Sequence, residues 1–211
     1  MVEEISKAII DGDTDEAIEQ TQKALAANMG AVAIVNEALV PAMDTVAKLW
    51  KDGDYFMSDV ILSADAFGKA MDIIAPALAA SGTVSNGKFL LGVVEGDLHD
   101  LGKNIVVAML RANGFEVIDL GVDVPVQKFV QAVKENKPNI LGIGAYMSTT
   151  IPQLKDVIDA LKAEGLRDGM QISIGGVCCN DTVAERCGAD KWGRDAMYTV
   201  ELAKKYMGVS K

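Results

Sequence analysis

The chain's only histidine stands in Glu95-Gly96-Asp97-Leu98-His99-Asp100-Leu101-Gly102-Lys103-Asn104, a stretch that joins an apolar run to a helical pattern. A lone histidine is more often exposed or structural than functional, but its neighbours here supply chemistry. Asp97, two residues earlier, lies on the same side of an extended loop. It can accept a hydrogen bond from one ring nitrogen, which fixes the tautomer and raises the basicity of the other nitrogen as a metal ligand.

Other chemistries fit less well. Glu95 and Asp97 form an acid–base pair only if they face each other in environments that split their pKa values, and adjacent loop carboxylates more often face solvent. A zinc or iron hydrolase needs about three protein ligands; with one histidine, carboxylates would have to supply the rest. Cys178, Cys179 and Cys187 are odd in number and lack the two-residue gap of zinc pairs, so they read as reduced thiols. A phosphoacceptor receiver needs an aspartate after its third strand, where this chain has Gly144-Ala145-Tyr146-Met147-Ser148. One histidine suffices where the metal arrives with most of its coordination filled, as in a tetrapyrrole-like macrocycle.

The elements that must position this stretch follow from hydrophobic periodicity. From Val2 to about Ala80 the spacing is helical throughout: a short stripe at Ile5, Ile9 and Ile10, and a second helix capped by Asp13 or Thr14 and running through Met29. A third carries Ala31, Ile34, Val35, Ala38, Leu39, Ala42, Val46, Leu49 and Trp50, with Pro41 as a kink site. In a fourth, Val60, Ile61, Ala64, Phe67, Met71, Ile74 and Leu78 turn inward. Such helices with short connections form a small bundle over residues 1–80. Residues 81–87, Ser-Gly-Thr-Val-Ser-Asn-Gly, read as a flexible linker.

Over residues 88–211 short apolar runs alternate with helical patterns. Strands are expected at Phe89–Val94, Phe115–Leu120, Ile140–Ala145 and Met170–Ile174, with a weak fifth at Ala189–Trp192. Apolar strands alternating with helices imply a parallel five-stranded sheet covered on both faces, a Rossmann-like (flavodoxin-like) α/β domain behind the helical bundle. Ligands bind beyond the carboxyl ends of such strands. There lie Glu95–Gly102, Gly144–Thr150 and Gly175-Gly176.

The 211 residues are 50% hydrophobic, ample for a core, and the net charge of −10 disfavours nucleic acid and anionic membrane as partners. No run reaches the roughly 18 apolar residues of a membrane span. The start lacks the basic and apolar regions of a secretory signal, so the chain is expected to be cytoplasmic.

Gly96 to Asn104 resembles the Asp-x-His-x-x-Gly signature of base-off, His-on cobalamin domains, as in methionine synthase and the corrinoid proteins of methyl-transferring systems. The resemblance spans nearly the whole chain: Val117–Pro125 is similar to the family's second strand and turn, Ile174-Gly175-Gly176 to its glycine pair, and the bundle to its cap. It implies cobalamin or a related corrinoid (methylcobalamin or cob(I)alamin), with His99 on cobalt and Asp97 and Thr150 completing a proton relay. Gly96, Leu98, Asp100, Gly102, Gly175 and Gly176 would border the cofactor and its buried nucleotide tail, and Ser148 would lie beside the corrin. Gly144 departs from the pattern, standing where the family has a serine facing the benzimidazole. Trp50 and Met57 match the residues that shield the upper corrin face. By the same resemblance the chain is a non-autonomous methyl carrier between a substrate-specific methyltransferase and an acceptor methyltransferase, served by a corrinoid reductive activase. The alternative is a cobalamin-binding sensor. The methyl donor, final acceptor and oligomeric state are not legible.

Overall fold

The structure, a computed structural model, describes residues 1–80 and 85–209. The chain divides into two compact units, Met1–Val84 and Ser85–Lys211. Residues 81–84 of the expected linker and the inward side chain expected at Leu78 lie outside the described residues.

The first unit is helical: α1 (Val2–Asp11), α2 (Thr14–Ala26), α3 (Ala31–Ile34), a π-helical turn (Val35–Leu39), α4 (Val40–Asp52) and α5 (Met57–Ala80). Asp13 caps α2 by accepting from the Glu16 amide at 3.0 Å, and α2 stops at Ala26 rather than Met29. The Ile10 carbonyl at the end of α1 accepts from Tyr55 Oη at 2.8 Å and Ser63 Oγ at 3.1 Å. Long-range side chains thus satisfy a helix-end group that has no partner within its helix. The third expected helix is interrupted just before Pro41. Proline brings no N–H for the Glu37 carbonyl and its ring crowds that carbonyl, so the chain widens into a π turn there. Ile5, Ile9, Ile34, Leu39, Phe67 and Ile74 are fully buried in this unit.

The second unit carries β1 (Lys88–Val93), α6 (Leu101–Ala112), β2 (Glu116–Asp119), α7 (Val126–Asn136), β3 (Ile140–Gly144), α8 (Ile151–Ala163), β4 (Gln171–Gly175), α9 (Asp181–Cys187), β5 (Lys191–Trp192) and α10 (Ala196–Met207). All strand pairs are parallel in the order β2-β1-β3-β4-β5, the flavodoxin-like winding. The reversal of winding direction at β1 puts the crossovers before and after it on opposite faces: α6 packs with α10 on one, and α7 and α9 pack with α8 on the other. Residues 85–87 are not free linker. Asn86 and Ser85 bond the α6–β2 turn through Asn86 N to Gly114 O at 2.9 Å and Glu116 N to Ser85 Oγ at 3.0 Å.

The face under α7, α8 and α9 is a continuous apolar core of Leu90, Val94, Leu141, Ile143, Ile172 and Ile174 against Phe129, Leu154, Val157 and Ile158. Because side chains alternate along a strand, Gly142, Gly144, Ser173 and Gly175 face α6 and α10. A Cβ built at Gly142 would meet Phe89 and Leu91 of that face, and one at Gly193 would meet Thr199 of α10. Half of the sheet's α6/α10 face is therefore paved with the smallest residues.

Candidate functional site

The loop after β1 ends at the winding reversal, and its geometry is set by Gly96 and Asp123. Gly96 takes a φ of 80°, which suits glycine. Its N–H donates to Asp123 Oδ1 at 2.7 Å, while the Asp123 N–H donates to Asp97 O at 3.0 Å. The chain is thereby turned so that the Asp97 side chain enters the protein and is completely buried.

Asp97 then gathers the loops. Its Oδ1 accepts from the His99 amide at 3.2 Å and pairs with His99 Nδ1 at 2.7 Å; its Oδ2 accepts from Tyr146 N at 2.7 Å, Met147 N at 3.2 Å and Thr150 Oγ1 at 2.9 Å. Desolvation pushes this carboxyl's pKa up, but the hydrogen bonds from Tyr146, His99 and Thr150 outweigh it and hold the value down at about 2. An ionised carboxylate only accepts, so Nδ1 of a neutral His99 carries the proton and Nε2 keeps its lone pair. His99 is 58% exposed, which leaves Nε2 accessible to a metal.

Thr150 Oγ1 also lies 2.9 Å from Met147 O. One hydroxyl proton faces two acceptors, so His99, Asp97, Thr150 and the Met147 carbonyl form a chain along which a proton can be held. The three residues expected in a relay, His99, Asp97 and Thr150, are thus in direct contact. Leu98 and Leu101 beside the histidine are 71% and 45% exposed, and Val177 after the glycine pair is 85% exposed. Ser148 and Asp100 are exposed, and Asp100 Oδ2 accepts weakly from Asn104 Nδ2 at 3.4 Å.

A row of glycines continues from this loop across the sheet. Gly144 is in register with Gly175, and Gly175 lies beside Gly193. A Cβ at Gly175 would find only the Gly193 carbonyl within 4 Å, at 3.6 Å. At Gly176, with φ 116°, it would fall 2.0 Å from Ala145 O, so no other residue fits. Gly102 has a different neighbour than expected: a Cβ there would lie 2.7 Å from Tyr146 Oη and 3.0 Å from Tyr146 Cε1. What Gly102 clears within the chain is a tyrosine ring.

Three residues escaped sequence reading. Tyr146 stacks on His99, with ring centroids 5.8 Å apart and planes at 29°. Asp123 holds Gly96. Lys103, nearly buried in the first turn of α6, pairs with Asp119 at the end of β2 and donates to Asn104 Oδ1 at 2.7 Å. In the helical unit Trp50 is half-buried near the end of α4, and Met57, the first residue of α5, is 47% exposed beside Phe56 at 75%.

These residues fit a metal that brings its own ligands. Among the described residues no three His, Cys, Asp or Glu side chains are grouped to hold a bare ion, whereas one oriented imidazole stands in the loop after β1, and Gly144, Gly175 and Gly176 bring no side chain to the ends of β3 and β4. Glycines at strand ends permit the close approach of a bulky group to backbone.

Family models described as B12 binding domain match residues 87–201 and 1–75. A corrinoid protein of Desulfitobacterium hafniense is 40% identical over 211 residues, covering 99% of this chain and 98% of that one. The dimethylamine corrinoid protein 3 of Methanosarcina acetivorans is 34% identical, covering 98% and 97%. Among solved structures, the methanol:cobalamin methyltransferase complex of Methanosarcina barkeri matches with a TM-score of 0.82 at 32% identity, over 100% of this chain and 80% of that one.

Proposed function

The chain belongs to the B12-binding family of corrinoid proteins, and on that premise we propose that it is a methyl carrier holding cobalamin or a related corrinoid with His99 as the axial ligand to cobalt. The observation that carries this reading is the buried Asp97 carboxylate, which fixes the exposed His99 ring by Nδ1 and leaves Nε2 to serve as ligand.

The bound corrinoid supplies a cobalt centre able to accept and give up a methyl group, which no amino-acid side chain offers. The chain's own residues do the rest. Asp97 keeps His99 in the Nδ1–H tautomer and raises the basicity of Nε2. Thr150 steadies Asp97 Oδ2 by donating its hydroxyl hydrogen to it, with Met147 O as the alternative acceptor. Leu98 and Leu101, next to the histidine in the chain, present exposed apolar surface. Gly175 and its row neighbours leave backbone bare for the nucleotide tail, with Gly144 contributing no hydroxyl. In the helical unit Trp50 and Met57 serve to exclude water and oxygen from the methyl-bearing face.

The partners are a substrate-specific methyltransferase, an acceptor methyltransferase and a reductive activase. The relatives' names point to methylamines or methanol as donor classes, and the choice between them belongs to the partner.

Reconstitution with cobalamin under reducing, anaerobic conditions tests the reading. It predicts stoichiometric retention of corrinoid, an altered spectrum for His99→Ala, and methylation of the bound corrinoid by a donor in the presence of a methyltransferase. Failure to retain corrinoid overturns it; retention without methyl transfer by any of the methylamine and methanol methyltransferases favours a sensor instead.

A further inference from the structure

A hydrogen bond at Nδ1 fixes one point of the His99 ring and leaves the ring free to pivot about the N–H···O axis. With 58% of the side chain exposed, little packing opposes that pivot. Among the described residues, the aromatic ring in contact with the imidazole is that of Tyr146, stacked at 5.8 Å and 29°.

Tyr146 is itself seated firmly. Its ring fills a slot between two glycines: a Cβ at Gly102 would lie 3.0 Å from Cε1 and 3.2 Å from Cζ, and one at Gly144 would lie 3.4 Å from Cε2. Its amide donates to Asp97 Oδ2 at 2.7 Å and its carbonyl accepts from Cys178 Sγ at 3.1 Å. Burial pushes its hydroxyl pKa up to about 12, so the ring stays neutral. The same residue thus binds one oxygen of Asp97 through its backbone and faces the histidine held by the other oxygen.

We propose that Tyr146 is a positioning residue for His99: its ring, lodged in the Gly102–Gly144 slot, sets the plane of the imidazole and hence the direction of Nε2. This rests on His99 being the axial ligand. Glycine at 144 and tyrosine at 146 act together, because the Tyr146 ring edge borders the space that a side chain at 144 would occupy.

The test compares Tyr146→Phe, Tyr146→Leu and Gly102→Ala in 15N-histidine-labelled protein loaded with cobalamin, reading the doublet splitting from the 15N axial ligand in the paramagnetic resonance spectrum of the cobalt(II) form. Tyr146→Phe should match wild type. Tyr146→Leu keeps a buried apolar volume without a ring plane, and Gly102→Ala displaces the ring. Both should lower the ratio of His-bound to His-free cofactor on the order of tenfold. The chain's single histidine gives one set of ring-proton resonances, so the cofactor-free protein offers a second readout: the Tyr146 ring-current shift on His99 persists in the Phe variant and vanishes in the Leu variant. Undiminished splitting in Tyr146→Leu and Gly102→Ala overturns the positioning role and leaves the parent reading intact. Absence of splitting in loaded wild type overturns the parent reading, and an unshifted wild-type histidine resonance overturns the stack.

Discussion

Asp97 carries its function through what it accepts: five donors on two oxygens, in a side chain with no exposed surface. Asp97→Ala would leave the Tyr146 and Met147 amides without a partner, and urea unfolding should show a loss of about 2–4 kcal/mol; wild-type stability would contradict the network. Its titration has a defined sign. The folded pKa is depressed from 3.8 to about 2, so this stabilisation is complete above pH ~4 and is lost as pH falls through about 2. The contribution at neutral pH is about 2 kcal/mol. Acid unfolding of Asp97→Asn should lack that component. Gly176→Ala should cost at least ~2 kcal/mol, because φ 116° and the Ala145 carbonyl at 2.0 Å both exclude a side chain. The contact between His99 and Asp97 could be expected because one contiguous motif holds both. Tyr146 and Asp123 were not legible, since each meets the motif across a long sequence separation, and a loop tyrosine carries no periodic signal.

Elements place these residues by handedness and alternation. Apolar runs located every strand to within about two residues, because burial on two faces leaves β1, β3 and β4 almost no polar positions. They could not reveal that Gly142, Gly144, Gly175 and Gly193 share the α6/α10 face, which depends on register between strands. Nor could they place the π turn before Pro41, or the anchoring of residues 85–87 to the α6–β2 turn, where Ser and Asn side chains bond backbone. The Lys103–Asp119 pair joins the first turn of α6 to the end of β2. Asp119→Ala would strand a buried ammonium and should lower the melting stability by about 3 kcal/mol; Lys103→Met combined with Asp119→Leu should recover most of it. Equal stability of wild type and Asp119→Ala would contradict the role of this pair in holding α6.

At the scale of the whole molecule, a helical unit and a parallel α/β unit are joined in one acidic chain, and no described helix is long and apolar enough to cross a membrane. Each unit matches its own B12 binding model, and helices give way to strand–helix alternation from Lys88 onward. The central claim is that one side chain of this molecule binds cobalt. A single histidine makes that directly testable. Protein grown with 15N-histidine, loaded with cobalamin containing 14N and reduced to cobalt(II), should show its axial nitrogen splitting change from a triplet to a doublet. A triplet that persists would place the cofactor's own base, not His99, on the metal, and would contradict the account.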